Sequence, residues 1–177
     1  MTKIGYSFIC AVTFLFIGCA KPNALENFNY SKFYGNALQY TFKSDIVIDN
    51  NVVAMLNATY LNATSINDEY ETKEVFLVGV FISDDNENKE YKITLNNTNP
   101  ESIVKLDKND KMYAKMPLYN PWAKYYIVEF DKDKLNKTFL DNLTEKQKYL
   151  NHEYKNISLS LLINEKQSTT LTFQKER

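Results

Sequence analysis

Cysteine is nearly absent from this chain: its 177 residues hold two, Cys10 and Cys19, both within the first twenty positions. Nothing further along could form a disulfide, run thiol redox chemistry or build a thiolate metal site. Histidine occurs once, as His152 in "YLNHEYK". That excludes a His-pair metal site and leaves histidine-based catalysis with one base set among polar neighbours, which reads as surface. The four glycines, Gly5, Gly18, Gly35 and Gly79, are too few and too scattered for a phosphate-cradling loop. Neither sign of charge dominates: 21 basic against 22 acidic side chains give a formal charge of −1. A nucleic-acid surface needs a basic excess that is missing here. Stretches such as "DKNDKMYAK" and "EFDKDKLNK" interleave the two signs, as a solvated surface does.

The acids do not converge on a recognisable site either. Asp84, Asp85, Glu87 and Glu90 form one run, and Asp107, Asn109 and Asp110 form another. Both lack the twelve-residue spacing, central glycine and terminal bidentate Glu of a strong calcium loop, so charged turns explain them. No pair of carboxylates stands out for glycoside chemistry. The expectation is a protein that is not an enzyme and carries no metal or cofactor. Asn-X-Ser/Thr triplets, among them those starting at Asn57, Asn62, Asn96, Asn136, Asn142 and Asn156, are a by-product of asparagine richness.

What the chain does have begins at its start. Lys3 is followed by a run from Ile4 to Ile17 that carries no charge, and none appears before Lys21. The run has the length of a secretory signal and falls short of the roughly 20 residues that span a bilayer. Its end, Phe16-Ile17-Gly18-Cys19, resembles the lipobox of bacterial lipoproteins, with Phe16 in place of the more usual Leu. That resemblance implies cleavage before Cys19, acyl chains on its thiol and new amino group, and, with Ala20 following, delivery to an outer membrane. Two or more acyl chains anchor firmly where one does not. The expected organisation is a signal peptide over 1–18, a lipidated N-terminus and tether over 19–38, and one domain over 39–177. Removing 1–18 leaves 159 residues and moves the formal charge to −2, enough chain for one core.

The rest reads as strands. "QYTFKSDIVI" and "VVAMLNATYL" flank a turn at Asp49-Asn50-Asn51, although Ala, Met and Leu leave the second run open to a helical reading. "EVFLVGVFI", residues 74–82, is apolar on both parities and predicts a strand covered on both faces. Gly79 inside it predicts close packing or a bulge. "EYKITLNN" alternates, "ESIVKL" is a further short strand or crossing arm, and "KYYIVEF" follows the breaks at Pro117 and Pro121. "ISLSLLI" with "TLTFQ" predicts a C-terminal hairpin. Leu135, Phe139, Leu143 and Leu150 predict a helical insert within 131–156, with Thr144 and Gln147 as a capping box. A short helix around Ala24–Phe28 is a further expectation.

Together these predict an all-β, immunoglobulin-like β-sandwich of seven or eight strands with one short helical insert. Antibody hallmarks are missing, and a lipocalin-like barrel stays open because periodicity does not separate the two. "NATYLNATS", "EVFLVGVFI" and "KYYIVEF", in a Lys/Asn/Tyr-rich setting behind a lipobox, resemble small surface lipoproteins of the Campylobacter and Helicobacter group. The resemblance implies a variant immunoglobulin fold and brings no ligand residues with it.

One stretch suggests binding. "MPLYNPWAKYYIVEF" places Tyr119, Trp122, Tyr125 and Tyr126 within eight residues. Such residues beside prolines form either an exposed rim of the kind found at binding hot spots or a plug for one end of the sandwich. The leading expectation is a lipid-anchored envelope module that binds a protein partner, attached to the membrane through Cys19 and with no nucleic acid. The alternative is a carrier or chaperone for an apolar ligand.

Overall fold

β-Branched and aromatic residues in alternating runs dictate extended chain, and asparagines supply the corners. The computed structural model describes residues 32–64, 70–83, 90–113, 116–141, 156–164 and 166–175. Among these, eight strands form: β1 Thr41–Ile48, β2 Asn51–Tyr60, β3 Lys73–Ile82, β4 Tyr91–Leu95, β5 Ser102–Lys105, β6 Lys124–Asp131, β7 Asn156–Ile163 and β8 Gln167–Gln174. Two helices accompany them, α1 Lys32–Gln39 and α2 Lys132–Asp141. The protein is an all-β domain of two antiparallel sheets, one ordered β1-β2-β3-β6-β5 and the other β4-β7-β8.

The run "VVAMLNATYL" is a strand, as its β-branched members favour, followed by a 3-10 turn at Leu61–Ala63. Among the described residues there is one helix besides the expected insert. Helix α1 occupies part of the stretch read as a tether, and Ala37 within it is fully buried. Eight residues cannot nucleate a stable helix alone, so packing holds α1 where the local sequence gives no clean period. The expected signal segment 1–18, Cys19, the helix expected at Ala24–Phe28 and the expected Thr144–Gln147 capping box lie outside the described residues. So do His152 and the acidic run Asp84–Glu87.

Glycine scarcity shapes the corners. The described backbone reaches positive φ at Asp49, Asn50, Asn96, Asn97 and Asn164, and at no glycine. Asn and Asp tolerate the left-handed region because their short side chains hydrogen-bond locally. Asp49 (φ 49°) and Asn50 (φ 62°) link β1 to β2. Asn96 (φ 48°) and Asn97 (φ 64°) turn the chain between the bridged residues Leu95 and Thr98. Paired positive φ angles are what two-residue hairpin turns matching strand twist require.

The sheets enclose one core. Inward-facing Phe76 packs against Tyr60 (5.1 Å between ring centroids), Phe173 (5.3 Å) and Phe130 (6.1 Å). Ile157, Leu159, Leu161 and Ile163 close it from β7. Leu135 of α2 is buried in the same cluster. Glu74 is buried there too, accepting a hydrogen bond from the Tyr60 hydroxyl and pairing with Lys175 at 2.9 Å.

Strand β3 is covered on both faces, as its unbroken apolar run predicts. Outward-facing Val75 and Leu77 belong to a second cluster with Leu61, Leu106, Tyr113, Met116, Ala123 and Tyr125. The chain between β5 and β6 thus crosses the outer face of the five-stranded sheet. The aromatic segment therefore covers a sheet face and does not plug an end.

Candidate functional site

The crossing chain is fastened to the sheet by polar side chains that its own sequence does not announce. The buried Asn57 of β2 donates from Nδ2 to the Leu118 carbonyl at 2.6 Å. The Thr59 hydroxyl points to Met116 Sδ at 3.7 Å, and Asn120 Nδ2 to Met55 Sδ at the same distance. Gly79 makes the approach possible. A Cβ there would lie 2.0 Å from Asn57 Oδ1 and 2.6 Å from a Tyr125 ring carbon.

Three phenol rings stand on this floor. Tyr125, 1 % exposed, stacks under Tyr119 with centroids 6.0 Å apart and planes 11° from parallel. Tyr113 meets both edge-on, at 4.9 Å and 5.8 Å. The Tyr125 hydroxyl accepts the Asn120 backbone N–H at 2.6 Å and donates to the Asn120 carbonyl at 3.2 Å. Burial pushes the Tyr125 phenol up, and the Asn120 N–H partly offsets this. Burial and the neighbouring Tyr119 hydroxyl likewise raise Tyr113.

Asn120, Pro121, Trp122 and Ala123 form a turn above them. The Ala123 N–H reaches the Asn120 carbonyl at 3.1 Å, and the Trp122 N–H reaches Asn120 Oδ1 at 3.0 Å. Asn first and Pro second suit such a turn, since Pro fixes φ and Asn closes the Asx bond. Trp122 sits at its tip, 78 % exposed, with Tyr119 54 % exposed beside it. Leu118 adds further exposed apolar surface.

The four aromatics expected to form one rim are therefore divided. Trp122 and Tyr119 are exposed, Tyr125 supports them from below, and Tyr126 lies on the opposite face. Neighbouring residues of a strand must point apart, so Tyr125 and Tyr126 could not share a surface. Tyr113 belongs to the outer trio although it lies outside the densest stretch, and no local signal marked it.

Tyr126 serves the seam between the sheets. Its hydroxyl meets that of Tyr91 on β4 at 2.7 Å. Burial first, then this hydrogen bond, holds the Tyr91 phenol far above its ordinary value of 10.0. Beside the pair runs an open groove of about 450 Å³ whose apolar walls include Ile93, Pro100 and Ile103.

Other motifs have structural roles. Asn62 donates to the Lys73 and Tyr70 carbonyls and accepts the Val75 N–H at 2.7 Å, and Asn57 is buried. Asp110 Oδ1 accepts the Met112 N–H in an exposed turn. Among the described residues, no group of three or more His, Cys, Asp or Glu could hold a metal ion, and no helix is long and apolar enough to cross a membrane.

Two packed antiparallel sheets with an aromatic strap define the class as far as architecture goes. No protein family, no curated protein and no solved structure matches the chain.

Proposed function

We propose that this chain is a non-enzymatic, lipid-anchored envelope protein that binds a partner protein through Trp122 and Tyr119. The carrying observation is the rigid presentation of Trp122: it stands in water at a turn closed by Pro121 and by two hydrogen bonds that Asn120 accepts, from the N–H groups of Trp122 and Ala123. An exposed indole gains most when a partner covers it, and a pre-ordered turn loses little freedom on binding. The Phe16-Ile17-Gly18-Cys19 lipobox supports anchorage through acyl chains on Cys19, with Ala20 favouring an outer membrane. Two facing antiparallel sheets of five and three strands support a variant immunoglobulin-like sandwich.

The carrier reading draws on the open groove beside Tyr91 and Tyr126, but among the described residues aliphatic side chains and four rings pack the space between the sheets. Protein binding is the better supported of the two. Cross-linking and capture from intact envelopes, comparing the natural chain with Trp122→Ala, tests it. A hot-spot aromatic contributes about 2 kcal/mol or more, so the variant should recover its partner at least about tenfold less well. Equal recovery of every captured protein would remove the proposal.

A further inference from the structure

The two sheets differ in width, and the difference leaves one strand uncovered. At one flank β8 closes against β1, where the Thr169 hydroxyl donates to the Ser44 oxygen and Phe173 meets Phe42 edge-on at 5.1 Å. At the other flank β4 faces β6 through the Tyr91–Tyr126 hydrogen bond. Strand β5 lies beyond β6 at the border of the larger sheet, and among the described residues the smaller sheet has no further strand to set against it. Ile103 shows the result. Register places it beside the buried Val128, on the inner face, yet it is 48 % exposed. The groove of about 450 Å³ runs along this overhang, with Tyr91, Ile93, Pro100, Ile103 and Tyr126 among its walls.

The border of β4 brings backbone partners to this groove. The Asn164 N–H bonds to the Glu90 carbonyl at 3.2 Å, and the Asn96 N–H to the Ser158 carbonyl at 2.9 Å. Alternate residues of an antiparallel ladder address the same neighbour, so Glu90, Lys92, Thr94 and Asn96 turn toward β7. Tyr91, Ile93 and Leu95 turn the other way. Thr98 takes both groups of Leu95, at 2.8 Å and 3.0 Å. Among the described residues the N–H and C=O groups of Tyr91 and Ile93 have no such partner. A row of this kind is a template for another strand. Cations stand on both banks: exposed Lys92 lines the groove, and exposed Lys105 lies directly across from Tyr126 in the β5–β6 register. Among the described residues neither lysine makes an ion pair.

We infer that the groove takes an extended segment of a partner protein, added as one more strand beside β4, with an apolar side chain on Ile103 and acidic residues meeting Lys92 and Lys105. The backbone of such a segment answers the groups of Tyr91 and Ile93, which an acyl chain would leave unpaired. Side chains of a strand alternate, so every second one turns inward and covers the apolar surface that the smaller sheet leaves bare at Ile103. The unpaired lysines select acidic residues at its ends and disfavour basic ones. The site is separate from Trp122 and does not depend on the reading given to that residue.

Titration of the isotope-labelled full chain with the peptide acetyl-Asp-Thr-Val-Phe-Val-Thr-Asp-amide, followed by amide NMR, tests it. The Tyr91 and Ile93 amides should shift saturably. N-methylating the peptide backbone, which removes its donors, should weaken binding at least about tenfold. Exchanging both Asp residues of the peptide for Lys should weaken it about fivefold. Lys92→Glu combined with Lys105→Glu should reverse that preference; both side chains are exposed, so the double variant keeps the fold. Trp122→Ala should leave the titration unchanged. No saturable shift at β4, equal binding of the N-methylated peptide, or indifference to the charge of the flanks would each overturn the inference. Shifts at β4 that grow with chain concentration in the absence of peptide would assign this edge to a second copy and overturn it equally.

Discussion

At Gly79 there is no room for one more carbon. The contacts that a Cβ would make are with Asn57, which holds the Leu118 carbonyl, and with the ring of Tyr125. Gly79→Ala should therefore cost about 2 kcal/mol from overpacking, outweighing the few tenths gained by restricting the unfolded chain. The check is a lower denaturant midpoint with an unchanged slope; stability equal to or above the natural chain would show that the strap simply shifts outward. This position was legible from the residues alone, since an isolated glycine within a doubly apolar strand marks close approach. The division between Tyr125 and Tyr126 was readable in principle from the two-residue period. Clustering along the chain obscured it, because nearness in sequence says little about which face a strand residue occupies. Tyr113 was out of reach, as only the return of the chain across the sheet brings it to Tyr119 and Tyr125.

Strands were the most legible elements. Seven or eight strands were expected and eight form among the described residues, and the double-sided burial of β3 follows from its composition alone. The Asp49–Asn50 turn was equally plain, because both residues tolerate the left-handed backbone needed there. The strap between β5 and β6 was not legible. It has no period to detect, since hydrogen bonds from Asn57 and ring contacts made by Tyr125 hold it, and these arise from elements distant in sequence. Helix α1 failed to show for the same reason: its stability comes from burial of Ala37 and not from eight residues' own preference. The hydroxyl-rich face of β7 and β8 was visible as alternation.

For the whole molecule, the sequence revealed the strands but not their partners. Nothing local says that β4 leaves its predecessor β3 and joins β7, whose residues lie more than sixty positions further on. The Tyr91–Tyr126 hydrogen bond is one of the ties between the two sheets that result. It carries a consequence for alkaline stability. Phenols whose folded-state values lie above 10.0 keep their protons where an unfolded chain would have released them. Their contribution is complete below pH 10 and is lost as the pH climbs through the folded-state values. Denaturant midpoints should thus hold steady to about pH 9 and fall steeply above about pH 10. Tyr126→Phe, which removes the hydroxyl bonded to Tyr91, should make that fall shallower. A midpoint indifferent to alkali would show that these phenols are not held as the seam geometry requires.

Trp122 is the sole indole in the chain, and its place in open solvent inverts the usual spectroscopic reporter. Its fluorescence in the native protein should already peak near the wavelength of free tryptophan. Denaturation should therefore leave the maximum almost unmoved, while any molecule that settles over the turn should shift it to the blue.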